Sequence, residues 1–373
     1  MSVAKTKVAI IGGGCAAMAA AWELSKPKHN GRYAITVYPM GFRLGGKGAS
    51  GRGVHDRIEE HGLHLWLGFY ENAFALMREV YDELGRDPER CRIAHWWQAL
   101  VPDPNVAVTD RDATGSWGTW LACFPPGDGL PGDGVHERRP FTIRRYFTRA
   151  ALLVVELLRS VQRHHEVPAA PQRSDAAPDW LEPPSAKDAV GARIDRLLEY
   201  GKLLSLTALI EGANLLAAAL DTLGPATPQR VLRLIDMIVG SGQKQLERLL
   251  ASEAELRRVW TVIDLVLACI RGGVRHGLAF DPRGFDAIND YDWIEWLRLN
   301  GASEASLRSG FMQAIYDLTF AYADGDPERP ALAAGVAMRG AVRMFFTYRG
   351  ALFWKMTSGM GDVVGSASSS SIA

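Results

Sequence analysis

The sequence predicts an α/β protein in which a parallel β-α-β unit at the N-terminus is followed by a large, mainly helical region. Three observations lead there. Residues 7–24, KVAIIGGGCAAMAAAWEL, pass from a β-branched apolar run through three glycines into an alanine-rich helical pattern without a break. A second apolar run, YAITVY at 33–38, follows the polar, glycine-containing connection KPKHNGR. From about Arg144 onward, apolar residues recur at helical spacing.

In order along the chain, Val8–Ile11 reads as a strand, the pattern to about Ser25 as a helix and 33–38 as a second strand. The glycine-rich loop GFRLGGKGASGRG occupies 41–53, RIEEHGLHLWL follows at 57–67, and a helical pattern runs from Glu71 to Leu84. Residues 92–145 alternate short apolar runs with Pro/Gly turns, giving strands at VAVTD and GTWLACF. The helical region is interrupted at 167–184 by a Pro/Ala-rich stretch read as an exposed loop. Its greasiest segment, Leu203–Leu223, approaches the length of a bilayer span. Glu211 and Asn214 at its middle favour a buried helix, and an apolar face dipping shallowly into a membrane lies between the two readings. Another helical block covers 285–323, a turn 325–330, a helix 331–346, and TYRGALFWKM reads as a strand or short buried segment. The low-complexity end, GSASSSSIA, has no apolar period and is expected to be disordered.

A strand that delivers glycines into a helix N-terminus is built for a phosphate. Backbone N–H groups and the positive end of the helix dipole face the anion, and side chains would obstruct it. The spacing G-x-G-x-x-A falls on Gly12, Gly14 and Ala17, which would serve the tight turn, the approach of a pyrophosphate and the close packing of helix on strand.

Composition sets limits on partners. The 373 residues carry 42 basic and 42 acidic side chains, so no cationic excess is available for nucleic acid. The four cysteines, Cys15, Cys91, Cys123 and Cys269, are widely spaced and suggest neither a disulfide framework nor a zinc site. The first residues lead straight into the first strand with no signal-peptide pattern, so a cytoplasmic location is expected. Glu59, Glu60, His61 and His64 could be read as a metal cluster, but residues three apart on a strand face opposite ways, and no metal site is assigned. Cys15 is expected to pack as a small residue beneath the phosphate turn.

About 30 residues after the first glycine turn, Arg43, Gly45, Gly46 and Lys47 form an R-x-G-G-K arrangement. With G-x-G-x-x-A, this resembles the flavin-dependent amine oxidase and phytoene desaturase superfamily. Glu60-His61-Gly62-Leu63-His64 and the aromatic run after it resemble the desaturase stretch in which a Gly-x-His strand passes beside the flavin. DWIEWLRLNG at 292–301 and Ser358-Gly359-Met360-Gly361 are similar to later segments of the same family. The resemblance implies an FAD/NAD(P)-binding Rossmann-like domain with a large, mainly helical substrate domain. Its parts would be 1–145 for the N-terminal part of the cofactor domain, 146–330 for the substrate domain, 331–364 for a return segment and 365–373 for the tail. It also implies FAD as cofactor, held by Gly12, Gly14, Ala17, Arg43, Gly45, Gly46, Lys47, Gly62 and His64, with NAD(P) as the alternative.

Two departures from that pattern stand out. The acidic residue expected about 20 residues beyond the glycine turn, where it would bind a ribose hydroxyl, is replaced by Pro39. After Gly361, where the family continues with further strands and a glycine-aspartate motif, the chain turns serine-rich, which reads as a truncated product. The expected activity is hydride removal from an apolar or lipid-like substrate, by C–C desaturation or C–N oxidation. The alternative is a degenerate nucleotide-binding fragment that needs a partner chain, or an NAD(P)-dependent enzyme. The reading allows peripheral membrane contact and names neither a catalytic acid or base nor an oligomeric state.

Overall fold

A computed structural model describes residues 4–41, 43–62, 64–111, 116–134, 142–165, 190–200, 203, 205–222, 228–250 and 254–365. The interruption read at 167–184 and the serine-rich end beyond Gly365 lie outside these residues. The chain divides into two compact units.

The first unit is formed by residues 1–106, 122–138 and 343–373. Strand β1 (Thr6–Ile11) pairs in parallel with β2 (Tyr33–Tyr38), register Ile11 to Tyr38, and helix α1 (Cys15–Ser25) makes the crossover. Alternation along both strands decides which face is covered. Val8, Ile10, Ile35 and Val37 are partly buried, while Ala9, Ile11, Thr36 and Tyr38 are exposed. Two short strands, β3 (Gly51–Arg52) and β4 (Ile58–Glu59), form an antiparallel pair beyond the glycine-rich loop.

A separate antiparallel sheet carries the core of this unit. Its order is β5 (Trp66–Leu67), β9 (Phe353–Met356), β6 (Leu100–Asp103), so a strand from the far end of the chain sits between two early ones. Helix α2 (Glu71–Leu84) turns its apolar stripe, Phe74, Met77, Val80 and Tyr81, onto this sheet and its neighbours. Phe74 is completely buried and meets Trp66, Trp96 and Trp354 edge-on or steeply inclined, at ring separations of 5.0, 6.2 and 5.2 Å. The tryptophans Trp66, Trp96 and Trp354 are therefore core in this unit. Helix α3 (Trp96–Ala99) is a single turn that places Trp96 there.

Among its described residues, the second unit, 107–121 and 139–342, is mainly helical and carries most of a two-stranded ribbon, β7 (Asn105–Arg111) with β8 (Trp117–Cys123). Its long helices are α4 (Ile143–His165), α5 (Val190–Tyr200), α6 (Leu206–Asp221), α7 (Pro228–Leu250) and α8 (Ala254–Arg275). The greasy segment around α6 proves to be a central helix. Ser205 caps it by accepting a hydrogen bond from the Ala208 N–H at 3.1 Å, and it is packed against α4, α5 and α7 with ten residues buried. Among the described residues no helix is long and apolar enough to cross a membrane.

Helix α8 achieves its close packing through Gly272 and Gly273. A β-carbon on the first would strike the Trp296 ring and on the second the Phe147 ring. The block read as helical over 285–323 is broken into short pieces, α9 (Trp293–Leu299), α10 (Glu304–Leu307) and α11 (Gly310–Thr319). Each is started by its own cap, Asp292, Ser303 or Ser309. The Asp292 carboxylate also accepts from the Tyr316 hydroxyl and the Leu332 N–H, which ties α9 to α11 and to the approach to α12 (Ala334–Phe346).

Truncating Phe74 to Ala should destabilise the first unit by about 3–5 kcal/mol, because it leaves a cavity ringed by three tryptophans. Urea unfolding followed by tryptophan fluorescence measures this. Leu121→Ser on the exposed face of β8 should leave the midpoint unchanged.

Candidate functional site

The site is assembled within the first unit, and it starts from the glycine turn. Gly12 adopts φ +109°, a conformation that L side chains rarely take, and donates its N–H to the Tyr38 carbonyl at 2.9 Å. This bond ties the turn to the end of β2. Gly14 then caps α1 in an extended conformation, with no side-chain cap and no acid in the first helical turn. The helix therefore presents its positive end without an internal counter-charge. Ala17, on the first turn, is half-buried.

The second glycine motif is seated directly on the first. Gly45 donates its N–H to the Gly13 carbonyl at 2.6 Å, and Gly14 and Gly45 form a parallel bridge. A β-carbon on Gly46 would lie 3.0 Å from the Gly14 Cα, and one on Gly45, at φ +112°, would lie 3.1 Å from the Ala49 backbone. Arg43 is exposed and donates to the Ser50 carbonyl at 2.6 Å, while Lys47 is exposed on the short turn Gly46–Gly48. Two cations thus stand on the loop that touches the glycine turn.

Gly62 and His64 come out differently from the strand expected there. The strand β4 stops at Glu59, β5 starts at Trp66, and the chain between them bends at Gly62, which has φ +150° and is exposed. In a straight strand, residues four apart are separated by roughly 13 Å. The bend instead brings His64 Nδ1 to 2.9 Å from Glu60 Oε2. Glu60 also accepts from the Ser50 hydroxyl at 2.5 Å and the Met360 N–H at 2.6 Å, and Ser50 Oγ accepts from the Gly361 N–H at 2.8 Å. A half-buried carboxylate therefore joins the glycine-rich loop, the His64 segment and the Gly359–Gly361 turn. Ser50 is absent from the residues picked out by motif, and Glu60 enters there only within the 60–64 stretch and the metal cluster that is not assigned, with no site role of its own. Their sole sequence signal is a carboxylate and a hydroxyl inside the two matching stretches.

A neighbouring pair reinforces the same junction. Arg52 and Asp362 form a 2.7 Å ion pair, and the Ser358 hydroxyl donates to Asp362 at 2.8 Å. For both Glu60 and Asp362, burial raises the carboxyl pKa. Hydrogen bonds outweigh that effect, from Ser50, His64 and the Met360 backbone in one case and from Arg52 and Ser358 in the other, and hold both below the ordinary carboxylate range.

Beside this junction lies a cavity of about 330 Å³, at the small end of ligand pockets. Its walls are largely apolar, with Met18, Trp66, Met77 and Met360 among them, and Cys15, His64 and Tyr70 bring polar atoms. Gly45 and Gly48 form part of the lining, and a β-carbon on Gly48 would lie 3.0 Å from Met360. Cys15 is exposed on the lining rather than packed beneath the turn, because α1 begins at the cavity edge. The glycine turn, the uncapped helix end and the cations fit a dinucleotide diphosphate. β2 terminates in exposed Tyr38, and exposed Pro39 follows it where the resemblance would place the ribose-binding carboxylate.

Comparison with known proteins agrees with this architecture. Residues 10–80 match the NAD(P)-binding Rossmann-like domain family, so the N-terminal part of the chain is a Rossmann-like dinucleotide-binding domain. The chain is 40% identical over 76 residues to a zeta-carotene desaturase, chloroplastic/chromoplastic, from Capsicum annuum, and 42% identical over 76 residues to the one from Arabidopsis thaliana. Each match covers 20% of this chain and only 12% or 13% of the relative's length. No solved structure matches the chain.

The lowered carboxyl pKa values fix the sign of an acid effect. Their stabilisation is complete above the unfolded carboxylate pKa and is lost as pH falls through the lowered folded values. Wild-type thermal stability should therefore fall between about pH 5 and 3. Glu60→Gln should melt lower at neutral pH and show a shallower acid decline, measured by circular dichroism.

Proposed function

We propose that this chain is an FAD-dependent oxidoreductase that removes a hydride from an apolar substrate, by C–C desaturation or C–N oxidation. The observation that carries the reading is the backbone contact between Gly13-Gly14 and Gly45-Gly46 at the edge of an apolar cavity. A lone glycine turn would suit any phosphate. Two glycine segments pressed together leave a flat, side-chain-free surface suited to a diphosphate and an adjoining ring system. The similarity of 76 residues of the chain to zeta-carotene desaturases supports the same reading.

In this proposal Gly12, Gly14 and Ala17 hold the diphosphate. Gly45 and Gly46 lie against the cofactor's second side, with Arg43 and Lys47 as cations there, and Gly62 shapes the turn that brings His64 beside the ring. FAD, when bound, supplies a ring that accepts hydride, which leaves orientation and exclusion of water to the protein. Met18, Trp66, Met77 and Met360 keep the cavity dry. The helical residues of about 146–330 would enclose the apolar substrate, with 331–364 returning to the cofactor domain. The missing carboxylate at Pro39 removes a hydrogen bond to the ribose worth about 1.5–3 kcal/mol, so affinity for FAD should be modest. NAD(P) is the second reading, favoured by the family that residues 10–80 match.

The purified protein should be yellow, or become so with added FAD, with the flavin's visible absorbance retained after gel filtration. Colourless protein that takes up no FAD refutes the proposal, and tight binding of NADPH by the same sample would establish the second reading. Gly14→Ala is the matching variant. Its β-carbon would meet only the Gly46 Cα, at an ordinary 4.0 Å, so the fold should be kept. FAD affinity should fall at least about tenfold, a loss of some 1.4 kcal/mol.

A further inference from the structure

The cavity wall contains a histidine whose hydrogen-bonding state the structure determines. Glu60 is held on both carboxylate oxygens. Oε1 accepts from the Ser50 hydroxyl and the Met360 N–H, and Oε2 faces His64 Nδ1 at 2.9 Å. Its environment keeps the carboxyl ionised at neutral pH. An ionised carboxylate has only lone pairs to offer, so the proton in the Glu60–His64 bond belongs to the imidazole. A neutral imidazole that donates from Nδ1 keeps an acceptor lone pair on Nε2. Ser50 is held in turn by the Gly361 N–H, so the carboxylate cannot swing to release the ring without disturbing the Gly359–Gly361 turn.

We infer that Glu60 is a positioning residue that fixes His64 in the Nδ1–H tautomer, so that His64 Nε2 accepts a hydrogen bond from an N–H at the edge of a heteroaromatic ring bound in this cavity. This rests on the flavin reading above and makes it specific. The hydrocarbon substrate of a C–C desaturation has no donor for Nε2, whereas the flavin ring would present one, N3–H, in either reaction. His64 would thus belong to the cofactor's side of the site, and the apolar lining residues would supply surface for a bound ring. Cys15, Trp66 and Tyr70 also line the cavity, and the hydrogen bonds that Glu60 makes go to Ser50, His64 and the Met360 backbone instead.

Two measurements at about pH 8, where free imidazole is neutral, test this. Long-range proton–nitrogen NMR of labelled protein without cofactor should show His64, identified by its loss in His64→Leu, as the Nδ1–H tautomer. In Glu60→Ala the signal should move to the Nε2–H tautomer favoured in water, and Glu60→Gln offers the same test with the side-chain shape kept. A wild-type His64 in the Nε2–H form overturns the inference. In the second measurement, the N3-methyl analogue of FAD should bind the wild type roughly tenfold more weakly than FAD, the equivalent of one lost hydrogen bond. It should bind His64→Leu as tightly as FAD does, since the partner is already gone. Equal binding of the two flavins to the wild type overturns the N3 contact and leaves the flavin reading standing. Failure of the wild type to bind either flavin overturns both, while the NMR result still reports on the tautomer.

Discussion

The contact between two backbones, Gly13-Gly14 at the head of α1 and Gly45-Gly46 in the following loop, is the constraint on which the first unit's site depends. It places the R-x-G-G-K motif on the glycine turn through a 2.6 Å hydrogen bond, at a distance that a β-carbon on Gly46 would crowd. Beyond that contact the loop brings Gly48 against Met360. The glycines therefore do two things at once. They leave the helix end without a side-chain cap, and they let a remote part of the chain close one side of the cavity.

Polar interactions then hold what the glycines bring together. Ser50, Glu60 and His64 form one connected group with the backbone of Met360 and Gly361, and Arg52 with Asp362 forms another close by. The two groups join segments some 300 positions apart in sequence. Buried polar groups are costly unless each finds a partner. Here the partners are shared among three segments, so the cavity wall, the glycine loop and the 359–361 turn stand or fall together. The tryptophan-rich core of Trp66, Phe74, Trp96 and Trp354 supports the same junction from beneath.

The helical unit follows a simpler logic. Its central helix α6 is apolar nearly all round because it is surrounded, and α8 packs tightly because Gly272 and Gly273 remove bulk where Trp296 and Phe147 approach. Composition alone left a buried helix and a bilayer span in competition for Leu203–Leu223. Neighbouring helices decide it, since they cover the apolar surface that lipid would otherwise have to meet.

Much of the local architecture was legible from residue order. The β-α-β start, the helix at 71–84 and the strands after residue 100 are written in apolar periodicity and turn residues, which act over short distances. The glycine spacings were legible for the same reason, because a helix N-terminus and its turn are local objects. The Gly62 segment was not, since a glycine in an apolar run fits a strand as well as a bend. Tertiary packing alone brings Glu60 onto His64 and sets Ser50 beneath Gly361, because hydrogen bonds between remote segments leave no periodic trace. The sequence by itself thus determined the strand–glycine–helix start of this chain and the spacing of its glycines. The fold decided which loop covers it, which histidine faces the cavity and which carboxylate orients that histidine, since each depends on a backbone approach no local pattern encodes.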